Sequence, residues 1–305
     1  MMEDGTSPSL SNSEKEERRR VFWSVYMLDR LASCARARPP AILEASCHLA
    51  LPCDENLFRA EFPSPGHKLD DILGAGTAPS DPHPGFPALV MVVVSILGRC
   101  VQCMLQDDHD RPRKPLWDPH SEYAAICSAL LSLESYFEQP VEEALLLNCS
   151  VDGVEIDRSV AGPLLFSRVL FCMCHCLLNQ PFLLRRSADL SHARAPQTFM
   201  SRALDTGREY SKRLLLELHN ARQVGYGVTG SFYAYCTVVA GVIQAIHSSS
   251  AQETVHNEST NCLSMACQIT TELAQHWPSC VSMVSPPFLS PSFSSPPPRL
   301  TFTIE

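Results

Sequence analysis

The hydrophobic residues of this chain recur with a helical period of about 3.6 residues along every long apolar segment. No stretch alternates apolar and polar residues as a half-buried strand does, so we expect no sheet of three or more strands. The pattern predicts an all-α fold, a bundle of about seven long helices. The predicted helices span residues 13–36, 87–106, 118–138, 160–178, 197–222, 229–248 and 260–277.

The first predicted helix has signals for its start, its buried side and its end. Ser13 and Glu16 have the spacing of a capping box, in which a hydroxyl and a carboxylate each bind a free backbone N–H group. Pro39 and Pro40 end the helix, since proline disfavours the helical conformation in the residue before it. An apolar row with helical spacing predicts the side that faces the core. The row consists of Val21, Val25, Leu28 and Ala32.

The segments between and beyond the helices divide the chain into three parts. Residues 41–86 form a connection rich in proline and glycine, with one short helix expected near residues 54–62. The C-terminal residues 281–305 are rich in proline and serine and lack the apolar groups needed to fold. We therefore predict disorder in residues 1–12 and 281–305, on either side of one domain of residues 13–280.

The composition favours a folded intracellular protein that does not bind nucleic acid by itself. Hydrophobic residues make up 45% of the chain and charged residues 19%, the balance of a globular domain. The 33 acidic and 24 basic residues give a net charge of -9, which repels phosphate backbones. Cysteines are frequent, yet the N-terminus has no basic or apolar segment of a signal peptide, so we expect reduced thiols.

Two sequence motifs suggest ligands, and each has a structural alternative. Residues 225–230 match the G-x-G-x-x-G pattern of dinucleotide sites, but they follow a predicted helix instead of a strand, which favours a turn between helices. Cys172, His175 and Cys176 share one helical face, as metal ligands can, although no fourth ligand lies nearby in sequence. Their apolar neighbours favour packing in the core, as do those of the Cys100-x-x-Cys103 pair.

Known catalytic motifs are absent from the sequence. It contains no G-x-S-x-G elbow, no H-E-x-x-H pair and no G-x-x-x-x-G-K-[ST] loop. The histidines are scattered along the chain. We therefore expect a protein that is not an enzyme, with no catalytic, metal, cofactor or DNA-binding residues within this chain.

A helical membrane protein is the alternative interpretation. Residues 86–105 carry one charge and residues 228–246 carry none, and each segment is long enough to span a bilayer. Arg99 lies within the first segment, and neither segment has a clear basic flank to orient it. Helices that are apolar on all sides also occupy the centres of large bundles, so we expect no membrane insertion.

Three sequence blocks near the N-terminus resemble a known domain. They are residues 18–30 (RRRVFWSVYMLDR), 38–42 (RPPAI) and 51–55 (LPCDE). In this order they resemble the middle homology region, the regulatory domain of fungal-specific transcription factors of the xylanolytic activator type. Residues 175–184 are also similar to that domain, and the resemblance extends over residues 14–277. The signature residues are Arg20, Trp23, Asp29, Arg30, Arg38, Pro39 and Pro52.

The resemblance implies an all-α regulatory domain of a nuclear protein that controls DNA-templated transcription. Members of this family carry, ahead of the domain, a cluster of two zinc ions held by six cysteines, and this sequence lacks that spacing. We therefore expect an N-terminally incomplete chain, with zinc and DNA contact only through the missing module. Transcriptional coregulators, a small-molecule inducer and a second copy of the chain remain as alternative partners.

Within the first block, Asp29 lies among apolar residues, where an unpaired carboxylate is costly to bury. We expect it to be partly buried and paired with an arginine. Arg38, placed by the turn that Pro39 and Pro40 form, is the first choice of partner. Residues 18–20 are expected to form a solvated helix end rather than a contact with a partner.

Overall fold

The computed structural model describes residues 10–62, 66–73, 84–105, 114–151, 155–181, 184 and 195–280. Helices dominate these residues, and short 3-10 turns lie at Glu44–Ser46 and Glu134–Phe137. The helices are α1 (Asn12–Arg36), α2 (Glu55–Arg59), α3 (Leu69–Leu73), α4 (Phe86–Leu105), α5 (Glu122–Leu133), α6 (Val141–Cys149), α7 (Arg158–Leu178), α8 (Gln197–Gln223), α9 (Ser231–His247) and α10 (Glu253–His276).

One short antiparallel ribbon accompanies the helices. Strand β1 (Ser150–Val151) pairs with β2 (Glu155–Ile156), and Ser150 lies opposite Ile156. In the described part of the chain the sheet has these two strands alone. The predicted all-α class is confirmed.

Three apolar helices form the core of the bundle. Helix α4 packs against α1 and α7, α7 packs against α8 and α9, and α9 packs against α8 and α10. Because neighbours cover α4, α7 and α9 on several sides, these helices bury almost their whole circumference instead of one stripe. They position the outer helices α1, α5, α8 and α10.

Helices α4 and α7 are long and apolar enough to span a membrane, and each is 78% buried inside the protein over its most apolar part. The second predicted span, residues 228–246, coincides largely with α9, which is shorter at 17 residues. Burial on several sides is the usual state of the central helices of a bundle, so their length is a weak indication of a membrane.

Most predicted helix boundaries differ slightly from the observed ones. The capping box of α1 uses Ser11 and Glu14: the Glu14 N–H donates to Ser11 Oγ at 3.1 Å, and the Ser11 N–H donates to Glu14 Oε2 at 2.8 Å. The predicted pair, Ser13 and Glu16, is wrong because Glu16 is buried and binds another segment. The sequence prediction also misses α6 and starts the last helix at residue 260 instead of Glu253.

The predicted terminal tails lie almost wholly outside the described residues. This holds for all of residues 281–305 and for residues 1–9. Residues 10–12 are described, and α1 begins at Asn12. The predicted disorder of residues 1–12 is therefore wrong at its C-terminal end, where the Ser11 cap fixes the chain.

The buried side of α1 differs from the predicted one. Val21, Val25 and Leu28 are 64%, 54% and 61% exposed, whereas Trp23 and Tyr26 are fully buried. The buried side also holds charged groups, which a count of apolar positions excludes from the core. These groups are Glu16 and Arg30. Glu16 accepts a hydrogen bond from Cys53 on the segment that follows α1, which favours burial of this side of the helix.

Gly98 permits the close approach of α1 and α4. A Cβ atom at this position would lie 2.9 Å from both Cδ and Nε of Arg30, whose side chain is buried. We expect Gly98→Ala to lower the free energy of unfolding by about 1–3 kcal/mol, the usual cost of overpacking. Urea unfolding followed by circular dichroism measures this cost.

An Arg30→Ala background provides the control for Gly98→Ala. With the Arg30 side chain removed, the added methyl group has space, and alanine forms helices better than glycine. Gly98→Ala should then be neutral or favourable. An equal cost in both backgrounds would contradict the proposed contact between the two residues.

Candidate functional site

The signature residues of α1 hold the connection that follows this helix. Arg20 donates to Glu55 Oε2 at 2.8 Å and to the carbonyl oxygen of Cys53 at 3.3 Å. Its guanidinium carbon lies 4.1 Å from the ring centroid of Phe58, a cation–π distance. Arg20 therefore fixes the start of α2 against α1.

Two buried side chains fix the segment just before α2. Glu16 accepts a hydrogen bond from the backbone N–H of Cys53 at 2.9 Å. Trp23 donates its Nε1–H to the carbonyl oxygen of Ala50 at 2.7 Å. Pro52, the signature proline of the third block, is buried and lies in sequence between Ala50 and Cys53.

The arginines at the start of α1 differ in their surroundings. Arg19 and Arg20 both form ion pairs with the buried Glu16. The prediction of a solvated helix end is therefore wrong for these two residues, because Glu16 draws their side chains onto the protein surface. Arg18 is exposed, as predicted.

Asp29 holds the start of the connection. Its carboxylate accepts hydrogen bonds from the backbone N–H groups of Ala41 and Ile42, each at 3.0 Å from Oδ2, and from Arg30 at 2.8 Å. The Asp29 side chain is 10% exposed, and its ion pair is with Arg30. The prediction of a partly buried, paired carboxylate is confirmed, but Arg38 as its partner is wrong.

The turn at Pro39 and Pro40 explains this difference. It directs backbone N–H groups, rather than the Arg38 side chain, toward Asp29, and both Arg38 and Pro39 are exposed. Burial alone would raise the pKa of Asp29, but the hydrogen bonds from Ile42 and Ala41, followed by the charge of Arg30, lower it below its usual value.

We name Glu16, Arg20, Trp23, Asp29 and Arg30 the clasp. Arg30 completes it, since its guanidinium carbon lies 3.9 Å from the ring centroid of Tyr26 beneath it. The polar groups of the clasp bind backbone atoms of the connection or nearby charged side chains. The clasp therefore attaches residues 41–55 to α1.

The sulfur-rich run of the sequence is packed inside α7. Cys172, Cys174 and Cys176 are fully buried. Burial raises the pKa of the Cys172 and Cys176 thiols well above its usual range, which disfavours the thiolate that zinc requires. Within the described residues, no group of three or more His, Cys, Asp or Glu side chains has an arrangement that can hold a metal ion.

A chelator tests the assignment of these cysteines to the core. EDTA is expected to leave the melting temperature of the purified chain unchanged, because no folding energy would come from a bound metal. Thermal unfolding followed by circular dichroism, with and without the chelator, measures this. A fall of several degrees would instead indicate a structural zinc.

The G-x-G-x-x-G segment forms the turn between α8 and α9. Gly225 follows the end of α8 and has a φ of +88°, a left-handed conformation that glycine adopts without strain. Helix α8 precedes this segment in place of the strand that a dinucleotide site requires. The interpretation as a turn is confirmed.

A cleft of about 870 Å³ opens between α5, α7 and α8. This volume lies within the range of about 300–1,000 Å³ that small-molecule sites occupy. Ring side chains make up much of its wall. They are Trp117, Tyr123, Phe171, His175, Phe199 and Tyr210, and we name this set the aromatic cleft.

His175 is the most unusual group of the aromatic cleft. Its ring stacks on Tyr210 with the ring centroids 3.7 Å apart and the planes 7° from parallel. Its Nε2 atom is buried and has no hydrogen-bond partner among the described residues. Burial, followed by the charge of Arg213, lowers the pKa of His175 to about 3. The ring is therefore neutral at physiological pH, and Nε2 can donate or accept according to the tautomer.

Hydrogen bonds fix the other walls of the aromatic cleft. The Tyr123 hydroxyl donates to Asn179 Oδ1 at 2.8 Å, and Asn179 Nδ2 donates to the carbonyl oxygen of His175 at 2.8 Å. The Tyr210 hydroxyl donates to Glu134 Oε1 at 3.3 Å. Burial, with the neighbouring Glu134 charge, raises the pKa of Tyr210 to about 12, so its hydroxyl stays protonated.

The sequence singled out only one of these residues. It placed His175 on one helical face with Cys172 and Cys176 and favoured core packing over metal binding, and the structure shows its ring stacked on Tyr210 of another helix. The spacing of His175 and Asn179, four residues or about one helical turn, places both on one helical face and could have indicated a shared site.

The comparisons with known proteins match the part of the chain that forms the clasp. The family model of the fungal specific transcription factor domain matches residues 2–140. The chain is 26% identical over 242 residues to the Zn(2)-C6 fungal-type transcription factor FTF1c of Fusarium oxysporum f. sp. lycopersici. That alignment covers 76% of this chain and 25% of the relative.

Two further relatives align over shorter segments. Transcription factor tazR of Aspergillus terreus is 36% identical over 108 residues, 34% of this chain and 17% of that protein. An uncharacterized transcriptional regulatory protein of Schizosaccharomyces pombe is 29% identical over 131 residues, 41% of this chain and 13% of that protein.

The chain spans about a quarter of the length of the Fusarium relative that it matches. No solved structure matches it significantly. The family model covers all five clasp residues and all three sequence blocks. Residues 2–140 therefore match the fungal specific transcription factor domain, and the longer alignments extend the similarity to transcription factors of this type over 76% of the chain.

Proposed function

We propose that this chain acts in the nucleus as the part of a transcription factor that sets the activity of a DNA-binding module. The observation that carries the proposal is the match of the fungal transcription factor domain to residues 2–140, the region that contains the whole clasp. The relatives with printed functions are transcription factors as well.

The charge distribution supports DNA contact through a separate module. The chain has a net charge of -9, whereas DNA affinity comes mainly from lysine and arginine that neutralise phosphates. Arg19 and Arg20, in the basic run of α1, are already paired with Glu16. Zinc, as a cofactor, would belong to that separate module.

The proposed role is regulatory and not catalytic. The carboxylates of Asp29 and Glu16 are bound to backbone N–H groups of the connection, and the thiols of the sulfur-rich run are buried in their protonated form. Coregulator proteins or a small-molecule inducer are the partners that we propose for a domain of this kind.

Two measurements test the proposed function. In a mobility-shift assay at physiological salt, the isolated chain is expected to show no specific DNA binding. Fused behind a heterologous DNA-binding module, the same chain is expected to change transcription of a reporter that carries the module's site. The module alone serves as the control.

Each measurement has a result that would contradict the proposal. Specific DNA binding by the isolated chain would show that DNA contact does not need a separate module. A folded, nuclear fusion that leaves reporter transcription at the level of the module alone under all growth conditions would contradict the regulatory role.

A further inference from the structure

The aromatic cleft has the size and the walls of a site for a flat organic molecule. Its volume of about 870 Å³ exceeds what a few waters need, and rings from three parts of the chain surround it. Trp117 and Phe199 meet edge to face with their centroids 6.0 Å apart, and Phe199 meets Tyr123 in the same way at 5.5 Å. Aromatic walls of this kind bind planar ligands by stacking and edge contacts.

The buried Nε2 atom of His175 lacks a hydrogen-bond partner among the described residues. Such atoms are almost always hydrogen bonded, and each exception calls for an explanation. Within the described residues Nε2 has no partner, while the ring itself is held in place by Tyr210. A ligand hydroxyl or carbonyl in the aromatic cleft would supply the absent hydrogen bond.

The charges around the aromatic cleft favour a ligand without net charge. Glu134 lines the cleft and would repel an anion, whereas Arg202, which also lines it, would repel a cation. Arg213, whose charge acts on His175, adds to the second effect. An ionic ligand would also lose its hydration in a largely aromatic site.

We propose that the aromatic cleft binds an uncharged, planar aromatic molecule through a hydroxyl or carbonyl group hydrogen bonded to His175 Nε2. Stacking against the aromatic walls supplies affinity, and the single hydrogen bond supplies selectivity. Where this ligand also controls transcription, the proposal rests on the proposed function; the binding itself does not.

Probes that share one ring system test the proposal. The purified chain is titrated with 2-naphthol, 2-acetonaphthone, naphthalene and the anion 2-naphthoate, and Kd is measured by competition in a fluorescence assay. We expect 2-naphthol or 2-acetonaphthone to bind about tenfold more tightly than naphthalene, the usual gain from one hydrogen bond. We expect 2-naphthoate to bind more weakly than the tighter of these two neutral probes.

Two variants locate the binding. His175→Phe keeps a ring on Tyr210 but removes Nε2, so the tenfold preference over naphthalene should disappear. Thr206→Trp places a large side chain in the wall of the cleft and should weaken binding of all probes at least tenfold. Thr260→Trp, at an exposed threonine of α10, is the matched control and should bind as the unmodified chain does.

Several results would overturn the proposal. They are equal Kd values for the polar probes and naphthalene, tighter binding of 2-naphthoate than of both neutral polar probes, and an unchanged preference in a folded His175→Phe variant. The reporter fusion separates this failure from failure of the proposed function. If the probes fail to bind as expected but the fusion regulates the reporter, only the proposed ligand site is contradicted. If the probes bind as expected but the fusion leaves the reporter unchanged, only the proposed regulatory role is contradicted.

Discussion

Replacing Glu217 with alanine is expected to lower the free energy of unfolding by about 3–5 kcal/mol, the usual cost of breaking a buried ion pair. Glu217 on α8 accepts hydrogen bonds from Arg168 on α7, from Nε at 2.7 Å and from Nη2 at 2.9 Å. The two side chains are 6% and 5% exposed. Without the carboxylate, the Arg168 charge stays buried, and its remaining hydrogen-bond partners among the described residues are the carbonyl oxygens of Gln139 and Phe137.

A more exposed ion pair, which joins α8 to α10, provides the control. Glu258 accepts from Arg208 of α8 at 3.3 Å, and the Glu258 side chain is 49% exposed. Glu258→Ala should cost less than about 1 kcal/mol, because water already screens this pair. Urea unfolding of both variants gives the comparison, and equal losses would contradict the importance of burial.

A double substitution shows whether the loss comes from the stranded charge. In Arg168→Met with Glu217→Met, both charges are replaced by apolar side chains of similar length, which often restores stability at buried pairs. We expect the double variant to be more stable than Glu217→Ala. Recovery should be partial, because Arg213 also binds Glu217 and would lose this partner.

The sequence could not predict the pair between Arg168 and Glu217. Charged residues on amphipathic helices usually face solvent, so a sequence pattern assigns both to the surface. They meet only because α7 and α8 pack together in the folded chain. By contrast, the long helices themselves were predictable, since each carries its own apolar period and needs no information from distant residues.

Helix α1 shows where a local pattern fails. Its row of Val21, Val25 and Leu28 has helical spacing, yet these residues are exposed. The opposite choice of face follows from Glu16 and Trp23, which bind backbone atoms of the connection. A prediction from periodicity considers only the apolar residues of one segment. The buried face of α1 also depends on hydrogen bonds to residues that lie 27 or more positions further along the chain.

The two candidate sites differ in how much of them the sequence contained. Four of the five clasp residues lie in the first of the three sequence blocks, although the partner of Asp29 was wrong and Glu16 was assigned to a capping box. The aromatic cleft was not visible, because its rings come from distant positions with nothing shared in sequence. Only folding brings Tyr123, His175 and Tyr210 together.

Asp29→Ala is expected to lower the free energy of unfolding by about 2–4 kcal/mol, since it removes the partner of a buried charge and the acceptor of two backbone N–H groups. Arg30, which is 3% exposed, would lose its ion pair, and Ala41 and Ile42 would lose their hydrogen bonds. Arg38→Ala is the matched control and should change stability by less than about 0.5 kcal/mol, because Arg38 is exposed.

Two further readouts distinguish the clasp from a general loss of stability. Amide hydrogen exchange in Asp29→Ala should accelerate first at Ala41 and Ile42, while the amides of α7 keep their protection.

The pH dependence of stability gives the second readout. Because the pKa of Asp29 is lowered in the folded protein, its contribution is fully present above the unfolded value of about 3.9 and is lost as pH falls below it. Asp29→Ala should therefore lie closest to the unmodified chain in acid. A stability difference between the two that stays constant from neutral pH into acid would contradict the role of the Asp29 charge in holding the connection on α1.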